Sequence, residues 1–422
     1  MKPDKKIELL APAGDMEKLR FAISYGADAV YFGGKIGSLR AGAGNLTVSE
    51  IYEAVEYAHN SGKKAYLAVN IYAHEEDIHP LETFIREVER AEADAYIVSD
   101  PGVLSLIQGI IPNAALHLST QASTTNALAA KFWKQAGISR IIAAREMSLA
   151  EICHLTKAVP EAEVEVFVHG AMCVSYSGRC LLSAVMTGRD ANRGECAHPC
   201  RYRYAITEEK RPGEYFDLEE DSRGTYIMNS KDLCMIEHIH DLAEAGIASL
   251  KIEGRMKSLY YVSVVVKAYR QALDAYYAGF RGAGLYSPAN QCALDVWQRE
   301  LETVSHRPYS TGFYYGSPGA DSITADAGGN INLYDFVGIV KSYDSVRNTA
   351  VIEQRNKIFS GDLIEFIGPE TESFSQIIET LYDAAGNQID SAPHAQQIIK
   401  IQTSRPVGEN FILRRQKQPT DV

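Results

Sequence analysis

The chain has no run approaching the ~20 apolar residues that a membrane span requires. Its opening stretch, MKPDKKIELLAPAG, holds no apolar signal-peptide core. Together these absences predict a soluble, cytoplasmic protein with no membrane partner. No G-x-G-x-x-G follows an early strand, which speaks against a dinucleotide-binding fold. H-E-x-x-H is missing too: HEEDIH at 74–79 sets its second histidine one residue too far along for a helical zinc pair. There is no G-x-S-x-G nucleophile elbow and no low-complexity segment. Cysteine is scarce, seven in 422 residues. An odd number with four clustered argues against a secreted disulfide framework and for metal or redox chemistry. Positive charge is in deficit as well: the net charge of −12 speaks against non-specific coating of nucleic acid, which is driven by phosphate neutralisation. A local basic face is still compatible with an acidic body, and CRYRY at 200–204 and LRRQK at 413–417 are its candidates.

What is present is a rhythm. Apolar, β-branched runs recur as IELLAPA (7–13), DAVYFGG (28–34), KAYLAVN (64–70), DAYIVSD (94–100), ALHLST (115–120), RIIAA (140–144), EVEVFVHG (163–170) and SLKIEG (249–254). Between most of them lie segments of helical period, several ending in Gly just before the next run. Near-continuous apolar strands alternating with helices predict a parallel sheet covered by helices. Eight such units fit a (β/α)₈ TIM-like barrel, an α/β fold, over residues 1–285. TYIMNS at 225–230 is a ninth strand candidate, assigned to an insertion between the seventh and eighth staves. A connecting segment and linker follows over 286–328. From 329 to 418 alternating apolar and polar residues with Asp, Asn and Gly turns predict a small antiparallel β-barrel.

In such a barrel, chemistry sits where the C-terminal strand ends and their loops converge. Those positions hold Asn70, His74, Asp100, Gln121, Arg145, His169, Asn229, Glu253 and Arg255. His169, Asn70 and Glu253 are the expected catalytic groups of this polar ring. Arg145 and Arg255 suit a small carboxylate ligand, because guanidinium binds carboxylate through two parallel hydrogen bonds. Immediately after the seventh strand, Cys173, Cys180, Cys196 and Cys200 form C-x₆-C-x₁₅-C-x₃-C in a loop rich in Gly, Arg and Ser, spanning 171–201. Four thiolates on one loop bind Zn²⁺ or an iron–sulfur cluster, and the spacing chooses neither. Cys153, Cys234 and Cys292 read as structural, with Cys234 the one able to substitute as a ligand.

EVFVHGAMCVSYSGRCLLS (165–183) resembles the signature segment of the collagenase-like peptidase family U32. Glu165, Phe167, Gly170, Ala171, Met172, Cys173, Gly178, Cys180, Leu182 and Ser183 stand at its positions. ELLAPAG, GADAVYFGG, STQASTTN, SLKIEGRMKSLYYV and TGFYYG also resemble family segments, so the similarity runs along the whole chain. The resemblance implies a 4Fe–4S cluster held by Cys173, Cys180, Cys196 and Cys200. It also implies hydroxylation, oxygen-independent or prephenate-linked, of tRNA, ribosomal RNA or quinone precursors. A barrel with a single C-terminal β module matches the branch that acts on tRNA, forming 5-hydroxyuridine at the wobble position. Quinone-pathway relatives are shorter, and the ribosomal-RNA type is longer. Prephenate as oxygen donor is a dicarboxylate, which gives Arg145, Arg179 and Arg255 a ligand. Arg201 and Arg203 beside the cluster, with Arg414, Arg415 and Lys417 on the β domain, are the expected tRNA surface. A paralogous family subunit is a further possible partner. The family's peptidase label, another RNA substrate and a non-catalytic iron–sulfur role are the alternatives.

Overall fold

The computed structural model describes residues 6–39, 44–173, 175–176, 179–202, 206–207, 215–216, 230–279, 288–316 and 331–417. Seven strands follow one another around a barrel: β1 (Glu8–Pro12), β2 (Ala29–Gly33), β3 (Lys64–Val69), β4 (Ala95–Val98), β5 (Leu116–Leu118), β6 (Ile138–Ile142) and β7 (Glu163–Ala171). A short strand, β8 (Asp232–Cys234), precedes the eighth stave, β9 (Ser249–Ile252). β9 pairs in parallel with β1, Glu8 opposite Ser249, and with β7, Glu165 opposite Ser249, so the eight-stranded parallel barrel closes. Each of the eight staves coincides with one of the apolar runs of the sequence, β6 beginning two residues before its run and β7 ending one residue beyond it.

The runs read as continuous because both strand faces are covered: all five residues of β2 are buried. The helices that cover them are α1 (Met16–Ser24), α2 (Val48–Asn60), α3 (Glu75–Val88), α4 (Pro101–Ile110), α5 (Ala127–Gln135) and α6 (Leu149–Ala158). Next come α7 (Leu182–Thr187) in the cysteine loop, α8 (Ile239–Glu244) and the long α9 (Leu259–Tyr277). Side chains of Asp15, Thr47, Asp100, Asn126, Ser148 and Ser258 each accept a first-turn backbone N–H, which fixes where the helices begin.

The barrel interior carries charge. Arg140 lies 2.5 Å from Glu8, 2.7 Å from Glu163 and 3.1 Å from Glu165, and Glu165 also holds Lys251 at 3.0 Å. Burial alone raises the Glu8 carboxyl, and Arg140 beside it brings it below the ordinary carboxylate value. Mutual pairing is what makes ions tolerable in this interior.

The stretch 286–328, read as a connecting segment, contributes α10 (Pro288–Glu302), packed on α9, and β10 (Tyr309–Ser310), paired with β8. β8 itself runs antiparallel to the end of β7, Cys234 opposite His169. Of the ninth strand candidate at 225–230, residues 225–229 lie outside the described residues, Asn229 among them, as does Arg203.

The C-terminal domain is an eight-stranded antiparallel sheet. Its strands are β11 (Tyr334–Asp344), β12 (Thr349–Gln354), β13 (Leu363–Ile367), β14 (Phe374–Ile377), β15 (Leu381–Asp383), β16 (Gln388–Ile389), β17 (Ile398–Gln402) and β18 (Ile412–Gln416), in the order β14-β13-β18-β11-β12-β17-β15-β16. It curls around its own core of Val337, Ile352, Ile364, Phe366, Ile399 and Leu413. β12 alternates half-buried and buried residues along its whole length, the period-2 signature of a sheet with one face inward.

The two bodies are joined by buried polar contacts. The Tyr25 hydroxyl donates to the carbonyls of Ile367 (2.8 Å) and Asn410 (2.9 Å), and Lys267 donates to those of Gly368 (2.7 Å) and Thr371 (2.8 Å). Arg414 is buried here, ion-paired with Glu300 of α10 and Glu365 of β13. Arg415 pairs with Asp335 and Asp362, and Lys417 lies 3.8 Å from Asp335. This corrects the expectation of a basic RNA surface at 414–417. Carboxylates distant in sequence already neutralise these cations, and Arg414 fastens one domain to the other.

Candidate functional site

The C-terminal ends of the staves open into a cavity of ≈ 1070 Å³, counting the space open at its rim. Each side of it comes from a different strand. From β3, Asn70 donates to Gln121 Oε1 at 2.8 Å, and the Asn70 oxygen accepts the Leu39 N–H at 3.3 Å. This amide pair forms one wall. From the loop after β9, Arg255 donates to Ser38 Oγ at 2.7 Å. Glu253, beside it, accepts from the Tyr31 hydroxyl at 3.4 Å. From the loop after β6, Arg145 donates to the Ala171 carbonyl at 2.9 Å and reaches to 3.5 Å from Cys173 Sγ, its guanidinium lying 5.4 Å from the Phe167 ring centre.

Lys251 is the group that sequence reasoning missed. It lies on the cavity floor, its ammonium 4.3 Å from the Tyr31 ring centre and 3.0 Å from Glu165, so the interior ion network ends at the mouth. The signal was there to read: a lysine inside the apolar run SLKIEG, two residues before Glu253, on the same strand face.

Cys173, Cys180, Cys196 and Cys200 all line this cavity. Cys200's thiol is held above its usual value by burial; Arg201 pulls it down, while Cys173, Cys196 and Cys180 push it further up. Among the described residues no three His, Cys, Asp or Glu side chains stand closed around a metal position. The donor set nonetheless fits a thiolate-ligated centre: four free cysteines on one loop, facing one cavity, with Arg145 and Arg201 at hand to offset thiolate charge.

The loop is anchored from its middle. The Asn192 side chain accepts the Cys180 N–H and donates to the Cys180 carbonyl, both at 3.2 Å, while its own carbonyl accepts from the Tyr72 N–H at 3.2 Å. Arg193 pairs with Glu76 and Asp77 at the start of α3, each at 2.8 Å. The HEEDIH stretch is therefore an anchor for the cysteine loop. Its His74 is an exposed residue just ahead of the helix, away from the cavity. His198, also missed, lines the cavity between Cys196 and Cys200 with left-handed backbone (φ 57°).

Several expected residues fall elsewhere. His169 is buried on the outer side of β7, with ring centres 5.5 Å from Tyr269 and 5.3 Å from Tyr309, and it does not line the cavity. Burial lowers its pKa to about 3, so it is neutral and holds no proton for the mouth. The reason is local: the β7–β9 register shifts between Lys251 and Ile252, where Phe167 and His169 become successive partners. That bulge turns His169 away from the phase of Glu165 and Phe167. Gly170 completes the turn at φ +107°, where a Cβ would stand 2.5 Å from the Glu253 carbonyl oxygen. Asp100 caps α4, and Arg179 is an exposed rim residue 5.8 Å from the Tyr72 ring centre. Cys234, the reserve ligand, is embedded beside Tyr269, its thiol pushed up to about 11 by burial, and it does not line the cavity.

Comparison with known proteins places this geometry. The chain is 42% identical to tRNA hydroxylation protein P1 of Bacillus subtilis, over 98% of this chain and 96% of that one. It is 36% identical to tRNA hydroxylation protein P of Escherichia coli, over 97% and 96% of the two chains. It is 38% identical to the 23S rRNA 5-hydroxycytidine C2501 synthase of Escherichia coli, over 64% of this chain and 40% of that one. Residues 14–324 match peptidase family U32 and residues 332–414 match the peptidase family U32 C-terminal domain. The barrel with its cysteine-lined mouth and the curled sheet behind it are thus the two parts of one family's design, and the chain belongs to peptidase family U32.

Proposed function

We propose that the protein hydroxylates RNA, and specifically that it forms 5-hydroxyuridine at the wobble position of tRNA in the cytoplasm. The observation that carries this reading is the single cavity lined by four cysteines and by Arg145, Lys251 and Arg255. Thiols and cations together suit a redox centre beside an anionic small molecule. Relatives that align along nearly the whole chain are named as tRNA hydroxylation proteins.

In this reading Cys173, Cys180, Cys196 and Cys200 hold a 4Fe–4S cluster, which supplies electron transfer when bound. Arg145 and Arg255 receive the carboxylates of a dicarboxylate oxygen donor, prephenate. Moving one oxygen atom from donor to the uridine C5–H oxidises the base by two electrons and leaves the donor reduced by two. Asn70 and Gln121 present fixed amide groups to whatever enters. Glu253, at the mouth beside the Tyr31 hydroxyl, is the carboxylate placed to take the displaced C5 proton. A paralogous subunit is a candidate partner.

Nucleoside mass spectrometry of tRNA tests the reading. Cells lacking this gene and any paralogue lose 5-hydroxyuridine-derived nucleosides, and the wild-type gene restores them. Cys196→Ala does not restore them, while the purified variant still binds tRNA. Unchanged nucleosides in the deletion strain reject the tRNA assignment. Anaerobic purification with iron and sulfide analysis tests the cluster independently.

A peptidase reading retains one geometric support: His198 and Cys196 both line the cavity, and the His198 backbone N–H donates to Cys196 Sγ at 3.4 Å. Peptide-bond cleavage by metal-free protein that is lost in His198→Ala would establish it.

A further inference from the structure

The loop 173–202 differs from the body it sits on. It carries four arginines against two acidic residues, in a chain of net charge −12. Arg179, Arg189 and Arg201 are exposed on it. It also displays large apolar side chains that a folded protein ordinarily buries: Tyr176 is 59% exposed, Leu181 71%, Val185 80% and Tyr202 47%. Exposed aromatics beside arginines, at the rim of a cavity, form a surface of defined chemistry.

The two tyrosines are placed in different ways, Tyr176 by its position in the cavity wall and Tyr202 by a tethered ring. Tyr176 lines the cavity, and its carbonyl accepts the Arg179 N–H at 3.0 Å. Tyr202 follows Arg201, another lining residue, and its hydroxyl donates to the Ala197 carbonyl at 3.1 Å. A ring tethered by its hydroxyl with its body in solvent is a stacking surface prepared in advance. Aromatic rings interleaved with guanidinium groups are the recurring means of holding single-stranded nucleic acid: the cations follow the phosphates and the rings stack the bases.

We propose that Tyr176 and Tyr202 form the platform on which an extruded RNA base stacks as it enters the mouth, with Arg179 and Arg201 on the flanking phosphates. This rests on the RNA-hydroxylase reading and adds to it the residues that take the base out of its stack. An enzyme acting on C5 of a loop base must unstack it, and a ring at the rim replaces the stacking that is lost. A basic rim also resolves how an acidic chain attracts RNA, because the local field, not the net charge, acts at contact distance.

The test uses the full chain and two probes: an anticodon stem-loop RNA with uridine at the wobble position, and the same RNA abasic there. Affinity is read by fluorescence anisotropy. Wild-type protein binds the uridine loop more tightly than the abasic loop, by roughly 5- to 150-fold for the one stacked base removed. Tyr176→Leu with Tyr202→Leu closes that gap, while Tyr176→Phe, which keeps both rings and the Tyr202 hydroxyl tether, preserves it. Circular dichroism and the melting midpoint show that all variants are folded. A gap that persists in the leucine pair overturns the stacking platform while leaving RNA recognition standing. A gap lost equally in Tyr176→Phe assigns that residue's hydroxyl rather than its ring, and overturns it too. Wild-type protein that binds neither probe overturns the platform together with the RNA reading, and points to a protein partner for the exposed apolar side chains.

Discussion

Arg414→Ala separates two accounts of the same residue, a phosphate contact and an internal clasp. In the structure its side chain is 4% exposed. Two of its nitrogens donate to the two oxygens of Glu300 at 2.9 Å each, and Nε donates to Glu365 at 2.8 Å. Nη1 also donates to Thr303 Oγ1 at 2.8 Å, and the guanidinium lies 5.0 Å from the Tyr334 ring centre. Truncation leaves two carboxylates, one from each domain, without the cation between them. Breaking a buried pair by removing one partner costs about 3–5 kcal/mol. Glu300 and Glu365 keep 28% and 25% of their side-chain surface exposed. Water therefore reaches them, and the lower end, about 3 kcal/mol, is expected. Equilibrium urea unfolding measures it, with Arg414→Lys recovering part of the loss because it keeps the charge but not the fork. Stability unchanged within about 0.5 kcal/mol, a typical surface substitution, together with weakened RNA binding, would refute the clasp and restore the phosphate role.

Three further outcomes follow from particular contacts. Asn192→Ala removes both hydrogen bonds to the Cys180 backbone, so in metal-free protein Cys180 is alkylated faster than in wild type while the melting midpoint barely moves; equal alkylation rates would show that Asn192 does not position Cys180. Arg193→Gln frees the same loop from Glu76 and Asp77; on the proposed cluster reading, reconstituted protein then loses its visible absorbance faster than wild type on exposure to chelator, whereas Arg193→Lys restores much of the hold, and identical decay would dismiss the anchor. His169 has a folded pKa of about 3, lowered by burial from 6.5, so the unfolded chain takes up a proton that the native one refuses. Its contribution is fully present above about pH 6.5 and declines as pH falls towards 3, at up to about 1.4 kcal/mol per pH unit. His169→Phe therefore flattens the acid limb of the stability curve and leaves the pH–rate profile of hydroxylation unmoved; a shifted rate profile would return His169 to the chemistry.

The staves were legible because burial on both faces writes itself as an unbroken apolar run, and the helix starts because Thr47, Asn126 and Ser148 are side chains that cap. The cysteines were legible as a set because all four lie in one loop. Other features depend on partners far along the chain. Arg414 read as part of a basic run, since Glu300 and Glu365, which neutralise it, stand 114 and 49 residues away. The interior network was hidden likewise: Arg140 meets Glu8 across 132 residues, and Lys251 meets Glu165 across 86.

His169 shows the sharpest form of the limit. Strict alternation along EVEVFVHG puts Glu165, Phe167 and His169 on one face, and the first two do face inward. The phase breaks because β9 supplies one residue fewer than β7 at Lys251–Ile252, a property of the pairing and not of either strand alone. With the bulge in place the imidazole goes to the tyrosines of the outer layer, and Gly170 re-aims the chain so that Met172 and Cys173 reach the cavity. One extra residue in one strand thus removes a histidine from the mouth and delivers a cysteine to it, which is why the loop that follows carries the candidate chemistry and the strand before it does not.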